Sequence, residues 1–262
     1  MKPTLTVTAP IGPDDAPLLL LGPSLGTSSI LWDPVAPALA TTHRIVRWDL
    51  PGHGASPAAI LPFTVAELAD AVADVIRSLG ARSVQYAGVS LGGAVGLELL
   101  LRHPELVDGA VILCSGAVIA TPDSWIQRAA QVRAQSTSSL IIGSAQRWFA
   151  PDSIARHPEH TGRLLHSLQD ADDESYALCC EALAACDVRG RLGEIATPLL
   201  AVWGAHDPVT PEGSAREIAA GVRHGRAVGI ADASHLAPAD DPAAVIALLT
   251  EFFDTTARED AA

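Results

Sequence analysis

The sequence predicts an α/β fold: a mostly parallel, doubly wound sheet carrying a helical insertion. Three observations point there. Apolar runs of strand length alternate with helically periodic segments through the first half, the order required by parallel strands joined through crossover helices. From about residue 120 to 193 strand-like runs stop and polar-interrupted helical patterns such as SWIQRAAQVRAQ and ESYALCCEALAACD take over. The strand pattern then returns and ends on an amphipathic helix. With 262 residues and 48% hydrophobic content the chain can bury one sizeable core. The expectation is one domain over residues 1–262, with residues 120–193 inserted as a cap.

Taken in order, PLLLLGP (17–23) reads as a buried strand ending in a turn, and HRIVRWDL (43–50) as the next strand. Between them residues 30–40 allow a helix of one or two turns, because Pro34 and Pro37 interrupt it. Thr64 and Glu67 form a capping box that opens a helix, and Gly80 suits its C-terminal end. SVQYAGV (83–89), GAVGLELLLRH (93–103) and DGAVILCSG (108–116) then read as strand, helix and strand. Past the cap, strands are expected in TPLLAVWGAHD (197–207) and GRAVGI (225–230) and a helix in PAAVIALLTEFF (242–253), with DTTAREDAA (254–262) as a frayed tail.

Charge and cysteine usage exclude several classes of function. A formal net charge of -13 with no run of lysine or arginine disfavours nucleic acid and anionic membranes as partners. The N-terminus has no long apolar stretch before a cleavage-type site, and no apolar run reaches membrane-spanning length, so a soluble, cytoplasmic protein is expected. Cys114, Cys179, Cys180 and Cys186 have neither C-x-x-C spacing nor a histidine at zinc spacing and read as reduced, mostly buried residues. No metal and no cofactor is called for.

Gly88-Val89-Ser90-Leu91-Gly92 fits G-x-S-x-G, a pattern in which small neighbours let the backbone turn sharply from strand into helix. Ser90 would then stand at a helix N-terminus, where N–H groups and the helix dipole favour developing negative charge. The competing explanation is a glycine-rich corner that merely lets strand and helix pack closely. A serine hydroxyl is a poor nucleophile without a histidine base and a carboxylate to orient it. Asp207, directly after a strand, and His235, in the loop after the last strand, lie on the same sheet edge as Ser90 and follow it in the order Ser, acid, His. Asp232 is the rival acid, but it is too close in sequence to reach the far side of the His235 ring. His53, in the turn LPGHGAS, reads as a structural hydrogen-bonding residue, while His206 would point away from the acid. Leu91 and, in LGPSLGTSS (21–29), Leu25 are the candidate amide donors for an oxyanion; an ordinary Gly/Pro/Ser turn is the alternative for that loop.

These residues resemble the α/β-hydrolase superfamily and, within it, the 3-oxoadipate enol-lactonases of the β-ketoadipate pathway. The resemblance rests on GVSLGG, PSLGTSSILWDP, RWDLPGHGAS, WGAHDPVTP and ASHLAP, with the cap segments SWIQRAAQVRA, AQRWFAPD and YALCCEALAACDVRGRL as its more specific part. It spans about residues 4–253. Two departures are visible: the first strand of the usual N-terminal hairpin is not evident, and proline stands before GHG where the family commonly has arginine.

The resemblance implies a serine hydrolase in aromatic catabolism, without metal or cofactor, opening a small anionic lactone through an acyl-enzyme on Ser90. An anionic substrate calls for local positive charge, and residues 120–150 carry Arg128, Arg133 and Arg147 against Asp123 alone. Arg128 is the favoured carboxylate clamp, Trp125 and Trp148 are candidate walls for the ring, and Ser24 joins them as a substrate contact. The alternatives are a carboxylesterase, a C–C bond hydrolase, a cofactor-free perhydrolase and, outside enzymes, a silent hydrolase-fold binding protein.

Overall fold

In a computed structural model, which describes residues 1–259, six parallel strands form one sheet. They are β1 (Leu18–Gly22), β2 (Arg44–Arg47), β3 (Val84–Val89), β4 (Val107–Leu113), β5 (Leu199–Gly204) and β6 (Gly225–Ile230), in the spatial order β2-β1-β3-β4-β5-β6. β1 and β3 are buried along their whole length. Strands covered on both faces need apolar residues at every position, which is why they read as unbroken runs and not as alternation. Burying each of Leu19, Leu20 and Leu21, fully enclosed here, contributes about 1.5–3 kcal/mol.

The connecting helices are α1 (Ala36–Leu39), α2 (Val65–Ser78), α3 (Leu91–Arg102), α9 (Glu212–Gly221), α10 (Ala237–Asp240) and α11 (Pro242–Glu259), while α4 (Pro122–Gln135), α5 (Ile141–Trp148), α6 (Ser153–Arg156), α7 (Pro158–Asp170) and α8 (Asp173–Ala184) all lie between β4 and β5. β4 fixes which helices lie on which face. Gly109 faces Phe252 and Thr256 of α11, whereas Ile112 faces Gly93 of α3; residues three apart on a strand point to opposite faces. α2 opens on the capping box read in the sequence, the Thr64 hydroxyl accepting from the Glu67 N–H and the Glu67 carboxylate from the Thr64 N–H.

Two expectations change at the chain ends. Residues 6–11 do lie along the sheet edge, antiparallel to β2, through isolated bridges Val7–Trp48 and Ile11–Ile45. Pro10, with no N–H to donate, interrupts what would otherwise be a strand. At the other end the expected frayed tail is helical, since α11 continues to Glu259; residues 260–262 of that tail lie outside the described residues. Among the described residues no helix is long and apolar enough to cross a membrane.

Candidate active site

Ser90 occupies the sharp corner between β3 and α3, with φ 54° and ψ -115°. That backbone conformation costs a residue with a side chain about 1–3 kcal/mol and persists because its surroundings leave no alternative. A Cβ on Gly88 would come within 2.4 Å of the Gly92 carbonyl oxygen, so only glycine lets β3 approach the first turn of α3. Tyr86 Oη donates to the Gly92 carbonyl at 2.7 Å, and Gly92 N–H donates to the Pro23 carbonyl at 3.0 Å. The glycines therefore do permit close packing, and that packing is what presents Ser90.

β5 and β6 carry the other two candidates to the same edge. After β5 the chain turns at Asp207, whose Oδ1 accepts from the N–H groups of Val209 and Thr210 at 2.8 and 3.1 Å. Oδ2 accepts from the Thr210 hydroxyl at 2.7 Å and lies 2.9 Å from His235 Nδ1. The carboxylate thus holds the imidazole with its proton on Nδ1 and leaves Nε2 as the free acceptor. Burial raises the Asp207 carboxyl, but the His235, Thr210 and Val209 interactions together outweigh it and hold the pKa below its ordinary value. Asp232, the rival acid, is exposed, as is His206.

Leu113 and Cys114, at the end of β4, tie the two halves together. Ser90 N–H donates to the Leu113 carbonyl at 2.9 Å, and Cys114 Sγ donates to the carbonyl of Ser234, the residue before His235, at 3.4 Å. Ser90, Asp207 and His235 are 5%, 5% and 3% exposed, so this edge is enclosed. Ser90 Oγ and His235 Nε2 make no hydrogen bond among the described residues; catalytic contacts of this kind are often long in the unliganded state and tighten on binding.

Two buried amides, one next to Ser90 in the chain and one in the loop after β1, are unengaged among the described residues. The N–H groups of Ser90 and Gly92 donate to Leu113 and Pro23, whereas that of Leu91, between them, has no acceptor among the described residues. In the loop after β1, Ser24 N–H donates to Thr27 Oγ1, Gly26 N–H to His53 Nε2 and Thr27 N–H to the Ser24 carbonyl, leaving the Leu25 N–H without one. Leu25 and Leu91 are both buried, and buried backbone donors rarely lack an acceptor.

The substrate-contact candidates separate on inspection. Trp148 is buried, and its ring lies against Gly26, where an added Cβ would meet it at 3.2 Å. Trp125 is buried under the Arg128 guanidinium, 4.8 Å from the ring centroid. Arg128 and Arg147 converge near the buried Tyr176; burial and the Arg128 charge both lower the Arg147 pKa, and neither arginine has a carboxylate partner among the described residues. Arg133 is instead engaged on the outside of the cap by Glu174 and Glu181. Ser24 is buried in the Leu25 loop, and its hydroxyl makes no hydrogen bond among the described residues.

Several residues at the site escaped the sequence reading. Thr210 had a local signal, since Asp-Pro-x-Thr is an Asp-initiated turn whose hydroxyl returns to the carboxylate. Arg147 was read only as one of three basic residues of the 120–150 segment, behind Arg128, and Asp240 had no signal. Asp240 Oδ2 accepts from Ser234 N–H at 2.7 Å and from Ala150 N–H at 3.0 Å, bridging the His235 loop to the cap. The same junction carries Leu236 N–H to the Trp148 carbonyl at 2.9 Å and Ser234 Oγ to the Arg147 carbonyl at 3.0 Å.

Comparison with known proteins agrees with this architecture. 3-Oxoadipate enol-lactonase 2 of Acinetobacter baylyi is 32% identical over 236 residues, covering 90% of this chain and 88% of the relative. 3-Oxoadipate enol-lactonase 1 of the same organism is 31% identical over 241 residues, covering 92% and 90%. The crystal structure of an enol-lactonase from Burkholderia xenovorans LB400 superposes with a TM-score of 0.92 at 30% identity, covering 95% of this chain and 96% of that one. A family model described as alpha/beta hydrolase fold matches residues 17–242, across both the sheet and the helical insertion, and the chain belongs to the α/β-hydrolase fold family.

Proposed function

We propose that this protein is a serine hydrolase that opens the ring of a small anionic enol-lactone, 3-oxoadipate enol-lactone, to give 3-oxoadipate. The proposed machinery is Ser90 as nucleophile, His235 as base, Asp207 as the carboxylate orienting it, and the Leu91 and Leu25 amides as the oxyanion hole. His235 Nε2 takes the Ser90 proton as Oγ attacks the lactone carbonyl, and the two amides receive the charge that develops on the carbonyl oxygen. Collapse of the tetrahedral intermediate breaks the ring C–O bond. The departing enolate, still tethered through the acyl group, takes the proton from His235 and becomes an enol that tautomerises to the ketone. Water, deprotonated by His235, then attacks the acyl-enzyme and releases the carboxylate and Ser90.

One observation narrows this reading from hydrolase to anionic lactone. In a chain of net charge -13, Arg128 and Arg147 converge beside Trp125 and Tyr176 without a carboxylate between them. Two guanidinium groups held close repel each other, and a substrate carboxylate relieves that repulsion while accepting forked hydrogen bonds. Likeness to the two Acinetobacter enol-lactonases supports the same substrate.

The test is turnover of purified enol-lactone against a neutral aryl acetate. Ser90→Ala is expected to abolish both activities and labelling by a fluorophosphonate. Arg128→Ala and Arg147→Ala are each expected to raise KM for the lactone about 10-fold or more, the equivalent of about 1.4 kcal/mol, and to leave the acetate nearly unchanged. Near-wild-type turnover by Ser90→Ala would refute the mechanism, and equal effects of the arginine variants on both substrates would refute the anionic specificity.

A further inference from the structure

His53 takes no part in the chemistry above, yet it is 1% exposed and both its ring nitrogens are engaged. Nδ1 lies 2.8 Å from the Pro51 carbonyl oxygen, and Nε2 lies 3.2 Å from the backbone nitrogen of Gly26. A carbonyl only accepts and a backbone N–H only donates, so the two partners together dictate a neutral ring with its proton on Nδ1 and its lone pair on Nε2. Burial, acting against the Pro51 carbonyl and the Asp49 and Asp172 carboxylates, lowers the His53 pKa and agrees with that state. The ring stacks on Tyr176, with centroids 6.0 Å apart and planes inclined at 28°.

Gly26 follows Leu25 in a four-residue turn closed by Thr27 N–H donating to the Ser24 carbonyl at 3.0 Å. With Gly26 at φ +83°, the third position of the turn is left-handed, as in a type II turn. Glycine also tolerates the alternative type I arrangement, which differs by a flip of the central Leu25–Gly26 peptide. That flip would carry the Gly26 N–H away from His53 and bring the Leu25 carbonyl towards it, opposing two acceptors. Trp148 and Leu168 close the other side of Gly26. The Leu25 N–H belongs to the preceding Ser24–Leu25 peptide, which such a flip leaves in place, so what the His53 hydrogen bond fixes for it is the position of the turn through the adjacent Gly26.

We propose that His53 is a positioning residue for the oxyanion hole: its Nε2 lone pair anchors the Gly26 N–H and thereby fixes the position of the Ser24–Thr27 turn, so that the neighbouring Leu25 N–H stays where the developing oxyanion needs it. The proposal rests on Ser90 being the nucleophile and Leu25 an oxyanion donor. It assigns a kinetic role to a side chain that touches neither substrate nor any of Ser90, Asp207 and His235, and it predicts a loss confined to the transition state.

The discriminating pair is His53→Gln, whose amide oxygen reaches the position of Nε2, and His53→Asn, whose amide reaches only that of Nδ1. For the full chain, kcat and KM are measured on 4-nitrophenyl acetate, together with the inhibition constant of a trifluoromethyl ketone, which adds Ser90 Oγ to form a tetrahedral oxyanion. His53→Asn is expected to lower kcat by a factor on the order of 10 to 100, to change KM less than about twofold, and to weaken ketone inhibition by about the same factor as kcat/KM. His53→Gln is expected to stay within about fivefold of wild type on all three measures. Equal behaviour of the two variants would overturn the proposal, as would a kcat loss without a matching loss of ketone affinity. Ser90→Ala, run alongside, separates the outcomes: if it is inactive while both His53 variants retain kcat and ketone affinity, only the positioning role fails; if it retains activity, the nucleophile assignment fails as well.

Discussion

At Asp207 two opposing effects act on one carboxylate. Burial favours its neutral form, while the His235 ring and three hydrogen-bond donors favour the charged one, and the donors prevail. A carboxyl whose folded pKa lies below its ordinary 3.8 contributes stability that is fully present above that value and is lost as pH falls through the lower one. Asp207→Asn is expected to remove this term, so that its melting temperature depends less on pH than wild type below about pH 4. The same variant is expected to lower kcat on the order of 10³- to 10⁴-fold with little change in KM, because an amide oriented to donate would favour the other His235 tautomer. Parallel steady-state kinetics and thermal melts test both. The order Ser90, Asp207, His235 was legible because each lies at or in the loop just past the C-terminal end of a strand, β3, β5 and β6 in turn, and parallel strands bring those ends to one edge. Thr210, which completes the Asp207 environment, was legible only as a turn residue.

Among the elements, α4 is the most instructive about what sequence composition hides. Arg128 and Arg133 are both basic cap residues, but five positions along a helix separate them by roughly 140°. Arg133 faces Glu174 and Glu181 on α8, while Arg128 lies over Trp125 on its own helix and beside Tyr176 of α8. The Arg133 cluster is more than one-third exposed, and exposed pairs of this kind contribute about 0–1 kcal/mol. Arg133→Ala is therefore expected to lower the melting temperature slightly and to leave KM for an anionic lactone within about twofold of wild type. A large KM change would put the carboxylate clamp at the wrong arginine. The Arg128 charge acts on Arg147, which lies on a different helix, α5, and no spacing in the sequence announces that proximity.

Across the whole molecule, cap and sheet are joined through Asp240. Its Oδ2 serves Ser234 and Ala150 together, while Oδ1 is buried with no hydrogen-bond partner. Burial raises its pKa against the Ser234 and Ala150 N–H donors. The sign here is opposite to that at Asp207. The folded state holds this proton more tightly than the unfolded chain does, so stability falls as pH rises from the ordinary carboxyl value through the raised one. Asp240→Asn keeps an oxygen for both amides and carries no charge, so it is expected to be at least as stable as wild type near pH 7 and to lack that slope. Asp240→Ala leaves two buried N–H groups unpaired, at about 1–3 kcal/mol each. It should also disturb kcat and KM together, because residues 147–150 and 234–236 share the junction. Denaturant melts across pH with kinetics on both variants test this coupling; an Asp240→Asn protein less stable than wild type at neutral pH would contradict it.

By itself the sequence determined the order of elements, the six buried or half-buried strands, the corner at Ser90 and the candidates that follow later strands. All of these are local: hydrophobic period, turn chemistry and chain order are properties of neighbouring residues, and parallel pairing brings Ser90, Asp207 and His235 to one edge of the sheet. Contacts between segments far apart in the chain were decided only by tertiary structure. The N-terminal residues settled against β2 because an unpaired edge there accepts them, despite Pro10. Arg147 met Arg128, Asp240 reached across to the cap, and His53 came to hold Gly26. None of these residue types is unusual in its own segment, and each acquires its role from the buried partner that packing brings to it. G-x-S-x-G announced the strand-to-helix corner that holds Ser90, whereas the histidine that accepts from the Gly26 N–H lies 27 positions away in the chain.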